Sequence, residues 1–225
     1  MKPVAYIHTD FKEKFGIPRQ SGRVPQSIAE IVFCPEYSSP DAVREIEGFS
    51  HLWLIFDFSK AHRDPPPLTV RPPRLGGNRR VGVFASRSPF RPNSLGLSSV
   101  RLLEVKKTQD KGPVLRVSGA DLLDGTPIFD IKPYLPFTDC HPDAVGGYAD
   151  EKSDYRLRVV IPEDLKTVLP DDKTDALIGC LSEDPRPSYQ DDENRVYSML
   201  FSDFDVRFTV KDGTLTVKEI ERVCK

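Results

Sequence analysis

His51 to Phe58, HLWLIFDF, is an apolar and aromatic run of strand length, and Asp64-Pro65-Pro66-Pro67 stops any regular element behind it. The same alternation recurs along the chain: a short strand-like run, then proline, glycine or a turn pair. Val4 to His8, Ile28 to Phe33, Arg80 to Ala85, Leu97 to Val105, Val114 to Gly119 and Ile128 to Ile131 are further predicted strands, with Asp124-Gly125 as a turn. One short helix is expected from Ser39-Pro40-Asp41, where serine suits the N-cap and proline the first helical position, to Gly48. Many short strands, few helices, 21 prolines and 14 glycines favour a β-barrel or sandwich over a doubly wound fold. Trp53 reads as core more readily than as a stacking platform, and His51 as structural or orienting.

The 225 residues suit one large domain, or one domain with a small appendage. Phe137 to Asp154 lacks apolar periodicity and reads as a linker or long loop. Beyond it come a strand at Tyr155 to Ile161, a helix at Asp172 to Leu181, and strands at Val196 to Phe201 and Arg207 to Val210. Lys211-Asp212-Gly213 then closes a hairpin onto Thr214 to Lys218. The expected division is residues 1–140, a linker at 141–154, and a smaller α+β unit at 155–225. No repeat or low-complexity tract is visible.

Net charge is -2, which by itself says nothing about nucleic acid. Its distribution does. Between Asp64 and Glu104 there is no acid and no lysine, but there are seven arginines: Arg71, Arg74, Arg79, Arg80, Arg87, Arg91 and Arg101. Arginine offers a rigid fork of donors that matches phosphate and carboxylate. A merely solvated surface would mix both signs. The stretch is therefore expected to hold an anionic ligand, with nucleic acid the first expectation.

Within it, Arg71-Pro72-Pro73-Arg74-Leu75-Gly76-Gly77-Asn78-Arg79-Arg80 combines stiff prolines with glycines that allow close backbone approach. Ser86 to Gly96 alternates Arg, Ser and Asn with Pro; Asn93 could read a base edge. The plain alternatives are a charged surface loop and a proline-rich turn. Asp121-Leu122-Leu123-Asp124-Gly125 through Asp130 and Tyr134 sets three carboxylates around a turn. These suit a base or a cationic ligand, or simply an Asp-Gly turn bonding its own backbone.

Several classes are excluded or disfavoured. No GxGxxG, GxxxxGK[ST] or GxSxG occurs, so ordinary Rossmann binding, a P-loop and a hydrolase elbow are unsupported. The four cysteines (Cys34, Cys140, Cys180, Cys224) form no CxxC, and the four histidines no HxxxH. Cys140-His141 is one adjacent pair, too close to share a tetrahedral site, so no metal is expected. MKPVAYIHTD carries no secretory pattern and no apolar run approaches the ~18 residues of a membrane helix; the expected setting is the cytoplasm, without a membrane.

Longer strings add a resemblance. Phe15-Gly16-Ile17-Pro18-Arg19-Gln20-Ser21-Gly22, Gly48-Phe49-Ser50-His51-Leu52-Trp53, Arg71 to Asn78, Gly82-Val83-Phe84-Ala85-Ser86-Arg87-Ser88-Pro89, and Asp124-Gly125-Thr126-Pro127 through Asp130-Ile131-Lys132-Pro133-Tyr134-Leu135-Pro136 occur in the order found in the TrmO (YaeB, VirR-like) family. Asp184-Pro185-Arg186-Pro187-Ser188-Tyr189 resembles that family's C-terminal motif. Where the family often carries proline, this chain has Ser94. The resemblance implies a tRNA methyltransferase acting on N6 of threonylcarbamoyl-adenosine next to the anticodon. It also implies a single-sheet β-barrel that binds S-adenosylmethionine, with a small α+β C-terminal domain, and a homodimer.

By that resemblance Gln20, Ser21, Gly22, Arg23, Ser59, Lys60, Arg87, Leu97, Asp121, Leu122, Leu123 and Asp124 would meet the cofactor. Asp124, Asp130 and Tyr134 are the candidates to assist loss of the N6 proton. Arg71, Arg74, Arg79, Arg80, Arg91, Asn93 and Arg186 are the RNA-facing candidates. The alternatives are a non-catalytic RNA-binding barrel and a small-molecule hydrolase using the Asp cluster.

Overall fold

A computed structural model describes residues 1–72, 79–152, 155–187 and 192–223. Among the described residues, eight strands precede residue 134: β1 (Ala5–His8), β2 (Ile28–Phe33), β3 (His51–Asp57), β4 (Thr69–Val70), β5 (Val81–Gly82), β6 (Leu95–Thr108), β7 (Gly112–Ser118) and β8 (Thr126–Pro133). Six of them close into a barrel in the order β1-β2-β7-β6-β3-β8. Side-chain alternation decides which face is inside. Leu52, Leu54 and Phe56 of β3 point inward, as do Val100 and Leu102 of β6, joining Ala5, Ile7, Ile31, Leu115, Val117 and Ile128 in one core. Each such buried aliphatic or aromatic side chain contributes about 1.5–3 kcal/mol.

Alternation also corrects the expectation for Trp53. Its neighbours Leu52 and Leu54 are inside, so Trp53 lies on the outer face, half-buried. It packs against Tyr134 at 5.5 Å and donates its indole N–H to Asp139 at 2.8 Å. Asp139 belongs to a single helical turn, α1 (Pro136–Asp139), inside the segment expected to be a linker; a 3-10 turn over Gly147–Lys152 follows.

Two other expected elements differ. The helix over residues 39–48 is two separate 3-10 turns, Pro40–Val43 and Ile46–Gly48. Ser39 does cap the first, accepting from the Asp41 N–H, but Glu45 at φ 66 breaks the run. The break lets Val43 join the barrel core while Ile46 and Phe49 pack against it. The strand expected over residues 80–85 shrinks to the two-residue β5, followed by a 3-10 turn at Val83–Ala85. Its partner β4 lies between prolines, which cannot donate to a ladder, so the pairing ends after Thr69↔Gly82 and Val70↔Val81. At Ser94, φ is 45, a value closed to proline.

The second unit is a four-stranded sheet in the order β10-β11-β12-β9, from β9 (Arg158–Val160), β10 (Tyr197–Phe201), β11 (Phe204–Lys211) and β12 (Thr214–Arg222). A short α2 (Glu163–Lys166) and α3 (Asp171–Ser182) join β9 to β10. β9 covers three of the seven residues expected from Tyr155 to Ile161: it pairs in parallel with Thr214–Thr216, and β12 begins only at Thr214, opposite Arg158. The core of this unit is not made by its own residues alone. Phe11 and Val24, from the loop between β1 and β2, are buried in it, with Phe15 and Ile17 packed alongside.

Candidate active site

Antiparallel pairing around the barrel puts the ends of β1, β3 and β7 and the starts of β2, β6 and β8 at one rim. Among the described residues, three connections cross that rim: residues 9–27, the described parts of 58–94, and 119–125. All the expected cofactor residues lie on these loops or at the adjoining end of β6.

Side-chain contacts draw the loops together. The Arg87 guanidinium donates to the Gln20 side-chain oxygen. The Gly22 N–H donates to the Gly119 carbonyl at 2.8 Å. Ser21 offers its backbone N–H to the Asp121 carboxylate. Lys14 donates to the Lys60 carbonyl at 2.6 Å, bringing the exposed Ser59-Lys60 pair alongside. Glycine is required on both sides of this contact for different reasons: Gly22 has φ 75, and a Cβ on Gly119, itself at φ 76, would lie 3.1 Å from the Gly22 backbone.

Asp121 is the chemically unusual group. Burial pushes its carboxyl above the ordinary carboxylate range, against hydrogen bonds from Ser98 and backbone N–H groups and the nearby Arg87 charge. The Ser98 hydroxyl donates to it at 2.6 Å. Sequence reasoning passed over Ser98. The available signal was a hydroxyl at an inward position of β6, in register with Gly96, Val100 and Leu102.

The three expected proton acceptors are dispersed. Asp124 is at the rim, but it accepts from the Thr9 N–H at 3.0 Å and the Lys12 ammonium at 2.9 Å, with His8 at 3.4 Å. Burial alone would raise its pKa; Lys12, the Thr9 N–H and His8 together hold it below the ordinary value. It is an ionised clasp. Asp130 is half exposed on the outer face of β8, bonded by the Ile131 N–H at 3.0 Å and by Lys132 at 3.3 Å. Tyr134 stands beyond the far end of β8, whose eight residues span about 23 Å. Partial enclosure, with Cys140 and Asp139 beside it, raises its pKa, so it stays a phenol.

The remaining expected residues also divide. Leu122 is in the barrel core, leaving its carbonyl to accept from the Thr9 hydroxyl at 3.0 Å, while Leu123 accepts from the Thr126 hydroxyl at 2.6 Å. Leu97 is 58% exposed on the outer face beside Ile55. Arg23 turns away from the rim towards Glu183 at 3.1 Å.

Among the arginines, Arg71, Arg79 and Arg80 are exposed, Arg80 touching the Thr69 hydroxyl at 3.1 Å. Arg91 is half-buried and donates to the Val83 and Ser86 carbonyls at 3.3 and 2.6 Å, so it holds the loop's shape. Arg186 is bound bidentately by Asp184 at 2.9 and 3.0 Å with an 11% exposed side chain. Asn93 is exposed just before β6. Arg74 lies outside the described residues. Phe84, 79% exposed beside this basic loop, and Arg63, which caps the Phe90 ring at 3.9 Å, were not anticipated.

Among the described residues no three His, Cys, Asp or Glu side chains gather as a metal would require, and no helix is long and apolar enough to cross a membrane.

Comparison with known proteins agrees with this geometry. Residues 6–140 match the model of the tRNA-methyltransferase O N-terminal domain, and residues 156–223 that of the TrmO C-terminal domain. The chain is 41% identical over 226 residues to the tRNA (adenine(37)-N6)-methyltransferase of Escherichia coli K12, covering 97% of this chain and 96% of that one. It is 41% identical over 217 residues to a Pseudomonas aeruginosa protein named "Putative S-adenosylmethionine-dependent methyltransferase RcsF", covering 92% and 91%. A crystal structure of TrmO from P. aeruginosa superposes with a TM-score of 0.79 at 32% identity, covering 98% of this chain and 95% of that one.

Proposed function

The chain belongs to the TrmO family, and from that premise we propose that it is an S-adenosylmethionine-dependent methyltransferase acting on N6 of adenine 37 in tRNA. The observation that carries this reading is the convergence of Gln20–Gly22, Arg87 and Asp121, from three loops, on one barrel rim. Their chemistry fits the cofactor. A buried carboxylate suits a sulfonium and ammonium, an arginine fork suits a carboxylate, and a side-chain-free Gly22 gives backbone access.

When bound, S-adenosylmethionine supplies an activated methyl group, so in-line orientation is the main demand on the protein. The rim loops would hold that orientation, and Asp121 would offset the positive charge. N6 sheds one proton as its new bond to carbon forms. Asp124 is committed to Lys12, and Tyr134 is at the other rim. Asp121 is therefore the better candidate to receive the proton. Loss of the neighbouring positive charge on transfer removes one of the groups that favour its ionised form and makes it more basic.

Arg71, Arg79 and Arg80 would take RNA phosphates or the carboxylate of a threonylcarbamoyl group, and Phe84 would stack on an unpaired base of the anticodon loop. The outer-face apolar pair Leu97 and Ile55 supports a homodimer, and a tRNA substrate supports the cytoplasm.

Transfer of labelled methyl to tRNA tests the whole reading. Incorporation into threonylcarbamoylated tRNA, and little into tRNA lacking that group, is expected. RNA binding without transfer would instead leave a non-catalytic binding barrel.

A further inference from the structure

Glu183 sits immediately behind α3 with a side chain only 7% exposed. Its carboxylate accepts from Arg23 Nε at 3.1 and 3.2 Å and pairs with Arg156 at 2.7 Å. Asp184, left-handed at φ 53, binds Arg186 bidentately and accepts from the Tyr155 hydroxyl at 3.1 Å. The carbonyls of Asp184 and Arg186 both accept from Arg19 Nη2, at 3.3 Å.

Arg19 and Arg23 bracket Gln20, Ser21 and Gly22. Each is tied to this one turn of the C-terminal unit. On its other side the same tripeptide is tied to the barrel, through Gly22 to Gly119 and Ser21 to Asp121. Behind it α3 presses closely: a Cβ on Gly179 would lie 2.6 Å from Val24 Cγ1. A three-residue segment anchored at both ends and on both sides has little freedom to choose its own distance from Asp121 and Arg87.

A buried ion pair is weak ground for net stability, because desolvation offsets most of the attraction; fixing geometry is its better attested use. Two guanidinium groups converging on one buried carboxylate therefore argue for placement. We propose that Glu183 is a positioning residue for the cofactor site. Through Arg23 it sets the reach of Gln20–Gly22, so the C-terminal unit governs cofactor affinity. This rests on the reading that residues 20–22 face the cofactor.

The test uses the full chain, with calorimetric titration of S-adenosylmethionine and separate KM values for cofactor and tRNA. Glu183→Gln is expected to weaken cofactor binding roughly tenfold, as displacement of an orienting group does, with tRNA KM within about twofold. Arg23→Lys keeps the charge, loses the fork, and should show the same split if Glu183→Gln does not fold. Arg156→Met removes the shorter ion pair from the same carboxylate and should leave cofactor affinity within about twofold. The proposal is overturned if Glu183→Gln spares cofactor affinity, or if it and Arg156→Met lower affinity and melting temperature in parallel. Asp121→Asn separates the premises. If that variant also spares cofactor binding, the site assignment itself fails; if it weakens binding while Glu183→Gln does not, only the positioning role fails.

Discussion

Asp121 and Asp124 are three residues apart and have opposite fates. Burial raises the pKa of Asp121, and only its ionised form can attract a cationic ligand. Cofactor affinity should therefore fall as pH drops through that raised pKa, at higher pH than an ordinary carboxylate would give. Asp121→Asn should weaken binding about 10- to 100-fold and abolish this pH dependence, since removing a charged partner costs on the order of 1.5–3 kcal/mol. Binding isotherms over the pH range in which the chain stays folded would decide. For Asp124 the folded pKa is depressed. Its stabilisation is fully present above the unfolded carboxylate pKa and disappears as pH falls through the folded value. Asp124→Asn should cost about 1–2 kcal/mol at neutral pH, a cost that shrinks progressively as pH falls below the ordinary carboxylate range, read from urea midpoints. A cost that persists at low pH would mean that charge is not what Lys12 recognises. The sequence presents Asp121, Asp124 and Asp130 as equals around a turn. Which one is buried, which is clasped and which faces outward depends on the folded barrel: Lys12 lies 112 positions from Asp124 and Ser98 lies 23 from Asp121, and no local pattern carries that.

Elements were legible where alternation alone governs them. β2 runs over the expected residues, and β6 and β8 extend beyond theirs because their neighbours continue. The expectations failed where tertiary packing overrides local preference. Pro40 and Ser39 do start a helix-like turn, yet burying Val43 while packing Ile46 against the same core goes with the kink at Glu45. Trp53 is the same lesson within a strand, because a one-residue difference in register changes the face. β6 also offers a test of how closely the barrel is filled. A Cβ on Gly96 would fall 2.2–2.7 Å from three ring carbons of Phe56. That ring is 3% exposed and packed edge-on to Phe58 at 5.0 Å, so it cannot step aside. Gly96→Ala should destabilise the protein by about 1–3 kcal/mol in thermal or urea unfolding. Adding Phe56→Leu should return part of that loss, a coupling expected only if the two side chains compete for the same space. Additive losses would show that they do not.

At the scale of the whole molecule, two family models match residues 6–140 and 156–223, but the packing does not divide between them. The loop over residues 9–27 leaves the barrel at β1 and returns to it at β2, yet Phe11 and Val24 are buried in the other unit. Phe11 pairs with Phe201 as an isolated bridge, the Leu200 N–H donates to Glu13 at 2.9 Å, and the Ser202 N–H donates to the Asp10 carbonyl at 2.7 Å. Asp10, itself buried, holds Lys173 of α3 with both carboxylate oxygens at 2.8 Å. Sequence order would assign this loop to the barrel, and nothing in its composition says otherwise. Its apolar residues are too few for a strand and too widely spaced for a helix, and they acquire a partner only when β10 and α3 fold. The loop should therefore open with the second unit. In native-state amide exchange of the intact chain, amides within residues 10–24 should show opening free energies that follow β10 and β11, not β1 and β2. Phe201→Ala, a core truncation costing about 3–5 kcal/mol, should speed exchange in residues 10–24 while sparing β3 and β6. If those loop amides track the barrel strands instead, the second unit merely rests against the loop. Tracking β10 would make the cofactor-facing tripeptide of this loop part of the cooperative unit that the C-terminal sheet builds.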